Sequence, residues 1–166
     1  MKNFLLALMC LLFVVLAFGS DSGAGWTTFG TQGSGTNQFL LPSGIAVDGS
    51  GHIYVADGGN NRIVRMNEMS GAGWTTFGTP GSGTNQFLQP AGIAVDGSGH
   101  IYIADGGNHR IVRMNDMSGK GWTTLGGTPG RGTNQFSQPD GVAVDARGNI
   151  YVADYSNNRI VRFVMP

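Results

Sequence analysis

The sequence predicts an all-β fold built from repeated sheets of four short antiparallel strands, and three observations predict it. The pattern Gly44-Ile-Ala-Val-Asp48, then His52-Ile-Tyr-Val-Ala-Asp57, then Asn61-Arg-Ile-Val-Arg-Met66 returns at Gly92–Met114 and again at Gly141–Phe163. The spacing is fixed: Trp26, Trp74 and Trp122 stand 48 residues apart, as do Asp48 and Asp96. Asp145 follows 49 residues later because Gly126-Gly127 inserts one glycine. Within each copy, apolar runs of five or six residues are punctuated by Gly, Pro, Ser and Asn, and no segment after residue 20 carries a sustained helical period. Trp26–Gly73 and Trp74–Gly121 differ at seven of 48 positions, so the first two copies must share one structure.

In chain order, the first segment is a targeting signal. Lys2 supplies a positive start, and Phe4 to Phe18 is an apolar run of fifteen residues, shorter than a membrane span needs. Ala17 and Gly19 put small residues where a signal peptidase reads, which places cleavage after Gly19 and leaves residues 20–166 as the exported domain, periplasmic or extracellular, with no membrane span. The competing reading is an uncleaved N-terminal anchor that tethers the same domain to the outer face of a membrane. The single cysteine, Cys10, lies inside the leader, and Met9 before it is too bulky for a lipoprotein signal. The mature chain then has neither a disulfide nor a thiolate metal site. Ten basic and ten acidic side chains give a formal charge of zero, so the basic footprint of a nucleic-acid binder is missing.

Each copy then resolves into four strand signals. Gly44–Asp48 alternates apolar residues and stops at the hairpin Gly49-Ser-Gly51; His52–Asp57 stops at Gly58-Gly-Asn60. Arg62–Met66 stops before Met69-Ser-Gly71, and Gly73–Gly78 stops at the turn cluster Thr79–Thr84. Four strands per unit and a period in the high forties are the signature of a β-propeller blade, with copies at about 25–67, 73–115 and 121–164.

The three segments Gly44–Met66, Gly92–Met114 and Gly141–Phe163 resemble the NHL repeat. The resemblance covers nearly all of the mature chain and implies blades of a ring that in this family is mostly six-bladed. It is poor for activity, because the family includes sensors, scaffolds, RNA binders and a few enzymes. Three blades cannot close a ring. The chain opens with an outer-type strand, Gly25–Gly30, and ends with three inner strands, Gly141–Asp145, Asn149–Asp154 and Arg159–Val164, so the deficits at its ends are complementary. Two readings stay open: a head-to-tail homodimer that completes a six-bladed ring, or an open half-ring from a truncated gene.

Recurring residues divide into structural and functional candidates. Asp57, Asp105 and Asp154 recur with Arg62, Arg110 and Arg159 five positions on, which reads as a turn-capping carboxylate in an Asx-turn paired with an arginine fork. Asp48, Asp96 and Asp145 end the strand that lines a propeller's channel and are the only candidates for Ca²⁺; turn formation competes for each. Among the histidines, His52, His100 and His109, no pair has metal-ligand spacing, which speaks against the zinc site that resemblance to the family's amidating-lyase branch implies. Trp26, Trp74 and Trp122 with Phe39, Phe87 and Phe136 read as core between blades, and Gln-Phe-x-x-Pro at 38–42, 86–90 and 135–139 as the crossovers. Positions that vary while the framework holds, Ser43/Ala91/Asp140 and Asn61/His109/Asn158, are the candidates for a ligand-facing rim. No nucleophile elbow, phosphate loop or Cys/His cluster is present. The expected function is an exported, non-catalytic binding or protein-interaction module without a cofactor. The alternative is a propeller-type lyase or lactonase with a channel Ca²⁺.

Overall fold

The computed structural model describes residues 25–165; the targeting segment lies outside the described residues. A short parallel pair, β1 (Thr31–Gln32) with β2 (Gln38–Phe39), leads into the first sheet, β3 (Pro42–Val47), β4 (Ile53–Asp57), β5 (Arg62–Met66) and β6 (Thr75–Phe77). A second pair, β7 (Thr79–Pro80) with β8 (Gln86–Phe87), precedes the middle sheet, β9 (Pro90–Val95), β10 (Ile101–Asp105), β11 (Arg110–Met114) and β12 (Thr123–Gly126). The third sheet is β13 (Pro139–Val144), β14 (Ile150–Asp154) and β15 (Arg159–Phe163). Each sheet is an antiparallel meander, with strands adjacent in the order in which they occur along the chain. The parallel pairs were not foreseen, because two-residue bridges across a Gly/Ser loop carry no periodicity.

Each four-stranded sheet takes its outer strand from the start of the next sequence copy. Arg65 lies opposite Thr75 and Arg113 opposite Thr123. Residues 26–30, predicted as an outer strand, pair with nothing and are not a strand here. The reason is that no inner strands precede them among the described residues.

The sheets pack face to face through their innermost strands, β9 lying between β3 and β13. One face of the first sheet offers Tyr54, Ala56 and Ile63 to Ile93, Ile101, Ile103 and Met114 of the middle sheet. The middle sheet repeats the arrangement, offering Tyr102, Ala104 and Ile111 to Ile150 and Val152. Alternation along each strand puts successive side chains on opposite faces, so a single repeat buries both faces when it has two neighbours. Gly44 and Gly92 allow the innermost strands to meet backbone to backbone. A Cβ on Gly44 would stand 2.3 Å from the Ala91 carbonyl oxygen, and one on Gly92 2.5 Å from that of Asp140. No helix among the described residues is long and apolar enough to cross a membrane.

Candidate functional site

Where the three innermost strands begin, they converge on an open cavity of about 500 Å³. Its wall is made of Ser43, Ala91 and Asp140 together with the crossover residues Leu41, Gln89 and Gln138, and it is closed below by 3₁₀ turns after the second strands. Leu41, Gln89 and Gln138 hold φ of 48°, 49° and 47°, a left-handed bend that turns the crossover into the strand. Ser43 donates its hydroxyl to the Ala91 carbonyl at 3.0 Å, so this side chain is partly spent on the neighbouring sheet. Asp140 is exposed and is the one charged residue of the lining.

The second set of rim candidates does a different job. Asn61 Oδ1 accepts the Gln89 N–H at 2.8 Å, and His109 Nδ1 accepts the Gln138 N–H at 3.0 Å. Asn61, His109 and Asn158 all take left-handed φ, between 52° and 55°, and none lines the cavity. Asn61 and His109 therefore tie one sheet to the next crossover instead of facing a ligand. Tyr155, which does line the cavity and is 69% exposed, was missed by sequence reasoning. Its signal was available: Tyr155-Ser156 stands where the other copies have Gly58-Gly59 and Gly106-Gly107.

The Asp–Arg pairs are buried clamps. Asp57 is fully buried and takes the Arg62 Nε–H at 2.7 Å, the Asn60 amide at 2.8 Å and the Leu40 N–H at 2.7 Å. The Arg62 fork spreads to the carbonyls of Ser34 and Gln38. Asp105 with Arg110 and Asp154 with Arg159 repeat this geometry. The expected Asx-turn is corrected: the carboxylate makes no bond to the N–H groups of its own 3₁₀ turn. It reaches back to a crossover N–H instead, while the arginine donates to the loop's carbonyls, groups that would otherwise lack a partner within the protein.

Asp48, Asp96 and Asp145 each close their own hairpin. Asp48 Oδ1 accepts the N–H groups of Ser50 and His52, while Oδ2 meets His52 Nδ1 at 2.8 Å and the Tyr54 hydroxyl at 3.1 Å. Desolvation pushes this carboxyl up, but the bonds from His52, Ser50 and Tyr54 outweigh it and hold it at about 2. Asp145 is likewise held at about 2, first by the Asn149 side chain that replaces the histidine. No cluster of three or more His, Cys, Asp or Glu suited to a metal occurs among the described residues.

The aromatic set is core in two of its three copies. Trp74 sits 5.2 Å from Phe39 and Trp122 5.3 Å from Phe87, ring to ring, with Arg62 and Arg110 stacked over the indoles. Trp26 departs from the expectation, being 75% exposed, since its would-be slot partners are not in the first sheet.

Comparison with known proteins agrees with this geometry. The NHL repeat matches at residues 39–66, 87–114 and 136–163, while no curated protein matches the sequence. Among solved structures, a nidogen/laminin complex is similar at 25% identity and TM-score 0.58, over 76% of this chain and 44% of that one. A catalytically inactive virginiamycin B lyase from Staphylococcus aureus with quinupristin gives 15% identity and TM-score 0.54, over 82% and 44%. An auxiliary nutrient binding protein from Bacteroides thetaiotaomicron gives 21% and 0.52, over 71% and 36%. The chain thus spans less than half the length of each of these structures. With the repeat matched in all three copies and each copy folded into a blade, the chain belongs to the NHL-repeat family of β-propellers.

Proposed function

We propose that this chain is a non-catalytic binding module that takes a basic side chain of a partner protein into the cavity at the start of the innermost strands. The observation that carries the reading is the third copy's departure from the other two. Asp140 replaces Ser43 and Ala91, and Tyr155 replaces two glycines, at positions that line the same cavity. A single exposed carboxylate beside a phenol and the apolar Leu41 suits a cation with an aliphatic stem. In this reading Asp140 is engaged by the cation, and the Ser43 hydroxyl already donates to the Ala91 carbonyl at 3.0 Å. The similarity to the lyase, at 15% identity, bears on the fold alone.

A random peptide library selected on the immobilised protein tests this. Enriched peptides should carry Lys or Arg and bind Asp140→Asn at least about tenfold more weakly, with a smaller loss in Tyr155→Gly. Peptides without basic residues, or equal binding to Asp140→Asn, would remove the reading. The same proposal places the protein outside the cytoplasm on the strength of residues 1–19. Export of a reporter fused to residues 1–24, with a new N-terminus at Ser20, checks that part.

A further inference from the structure

Four features of the junctions between sheets occur twice among the described residues, and at the two ends of that stretch each occurs as an unmatched half. The first is the tryptophan slot. Trp74 is held by Phe29, Phe39 and Arg62, and Trp122 by Phe77, Phe87 and Arg110. The corresponding third set, Leu125, Phe136 and Arg159, lines an empty cleft of about 330 Å³. Arg159 is accordingly 31% exposed at its side chain, against 13% and 9% for Arg62 and Arg110. The tryptophan without a slot is Trp26.

The second feature is the outer strand. Both complete sheets end in the sequence Thr-Thr-Phe or Thr-Thr-Leu, whereas β15 is a bare edge and Thr27-Thr28-Phe29 is an unpaired stretch. The third is the apolar face. Ile63 and Ile111 are fully buried, but their counterpart Ile160 is 72% exposed; Ile93 is 6% exposed, but its counterpart Ile45 is 65% exposed. The fourth is the backbone contact at the innermost strand. Gly44 and Gly92 touch the next strand's carbonyls, while Gly141 has only Ala153 near it. In the same way Asn61 and His109 accept the N–H groups of Gln89 and Gln138, while neither Asn158 Oδ1 nor the Leu41 N–H has such a bond.

We propose that two copies of this chain join at these halves into a closed ring of six sheets on a two-fold axis. Each copy lends its residues 26–30 to the other as the missing outer strand, with Trp26 entering the Leu125–Phe136–Arg159 cleft. The donor cannot be the same chain, because the middle sheet separates the first sheet from the third. Both junctions are alike, so the assembly closes without leaving an edge. Register follows from the internal pairs: as Arg65 faces Thr75 and Arg113 faces Thr123, Arg162 faces Thr27 of the second copy. The cavity at the innermost strands gains a second Ser43, Ala91 and Asp140 on closure, although the dimer does not depend on what binds there.

Sedimentation equilibrium of the full chain should give twice the mass that mass spectrometry finds for one polypeptide. Trp26→Ala, at a side chain exposed within its own chain, should fold with an unchanged far-ultraviolet spectrum and raise the dimer dissociation constant about tenfold or more. Register is read with cysteines in a Cys10→Ser background: chains carrying Thr27→Cys mixed with chains carrying Arg162→Cys should oxidise to a disulfide-linked pair, while Thr28→Cys with Arg162→Cys should not. A monomer at every concentration overturns the proposal. So does a ladder of open oligomers, or a dimer that ignores Trp26→Ala and fails to cross-link.

Discussion

The middle sheet and the third sheet are built from nearly the same residues and differ in their surroundings. Tyr102 is 5% exposed and Tyr151 36%, although both follow the same isoleucine and donate to the same hairpin aspartate. Burial in a stacked repeat is thus a property of the neighbour as much as of the residue, and a side chain's importance cannot be read from its identity alone.

The contrast is sharpest at matched isoleucines. Ile111→Ala in the middle sheet should cost about 2–5 kcal/mol of stability in urea unfolding, because it opens a cavity between two packed sheets. Ile160→Ala should cost well under about 1 kcal/mol within the single chain, and a large loss there would show that its face is covered. Next comes a matched glycine pair. Gly92→Ala forces a methyl to within 2.5 Å of the Asp140 carbonyl oxygen and should destabilise by about 1–3 kcal/mol. Gly141→Ala meets only the Ala153 methyl, at 3.3 Å, and should be close to neutral in the single chain.

The smallest effect concerns the hairpins, where the sheets are alike. Asp48 and Asp145 have carboxyls held at about 2 when folded, below the ordinary value of 3.8. A depressed folded value means that the unfolded chain binds the proton more tightly, so these groups add stability above pH 4 and lose it as the pH falls toward 2. Carboxyl ¹³C shifts should therefore titrate with midpoints near 2 for both residues. A midpoint near 4 at Asp48 would mean that the His52 and Tyr54 bonds do not form in solution.

Much of the fold was legible because strand chemistry is local. Alternating Ile and Val, the hairpin Asp48-Gly-Ser-Gly and the near-constant spacing fixed the strands to within a few residues, apart from Gly25–Gly30. What the site does was less legible, because it depends on contacts across the repeat. Asp57 and Arg62 could be paired from their spacing, but their reach to Leu40, Ser34 and Gln38 lies 17 to 28 positions back. Asn61 and His109 vary between copies, which suggested ligand contact. An amide oxygen and an imidazole nitrogen can both accept one N–H, so the variation is between equivalent acceptors. Trp26 was grouped with its buried counterparts because a repeat prints the same residue whether or not its slot is present.

The matching outer strands also bear on how the polypeptide reaches its final form. Thr27-Thr28-Phe29 and Thr75-Thr76-Phe77 are the same tripeptide, so during synthesis a newly made third strand meets rival pairing partners of equal intrinsic affinity. Only the length of the connecting loop separates the right choice from the wrong one, and the shorter tether wins by its smaller closure entropy. Lengthening the segment between β5 and β6 would narrow that advantage and let Thr27-Thr28-Phe29 of the same chain compete for β5.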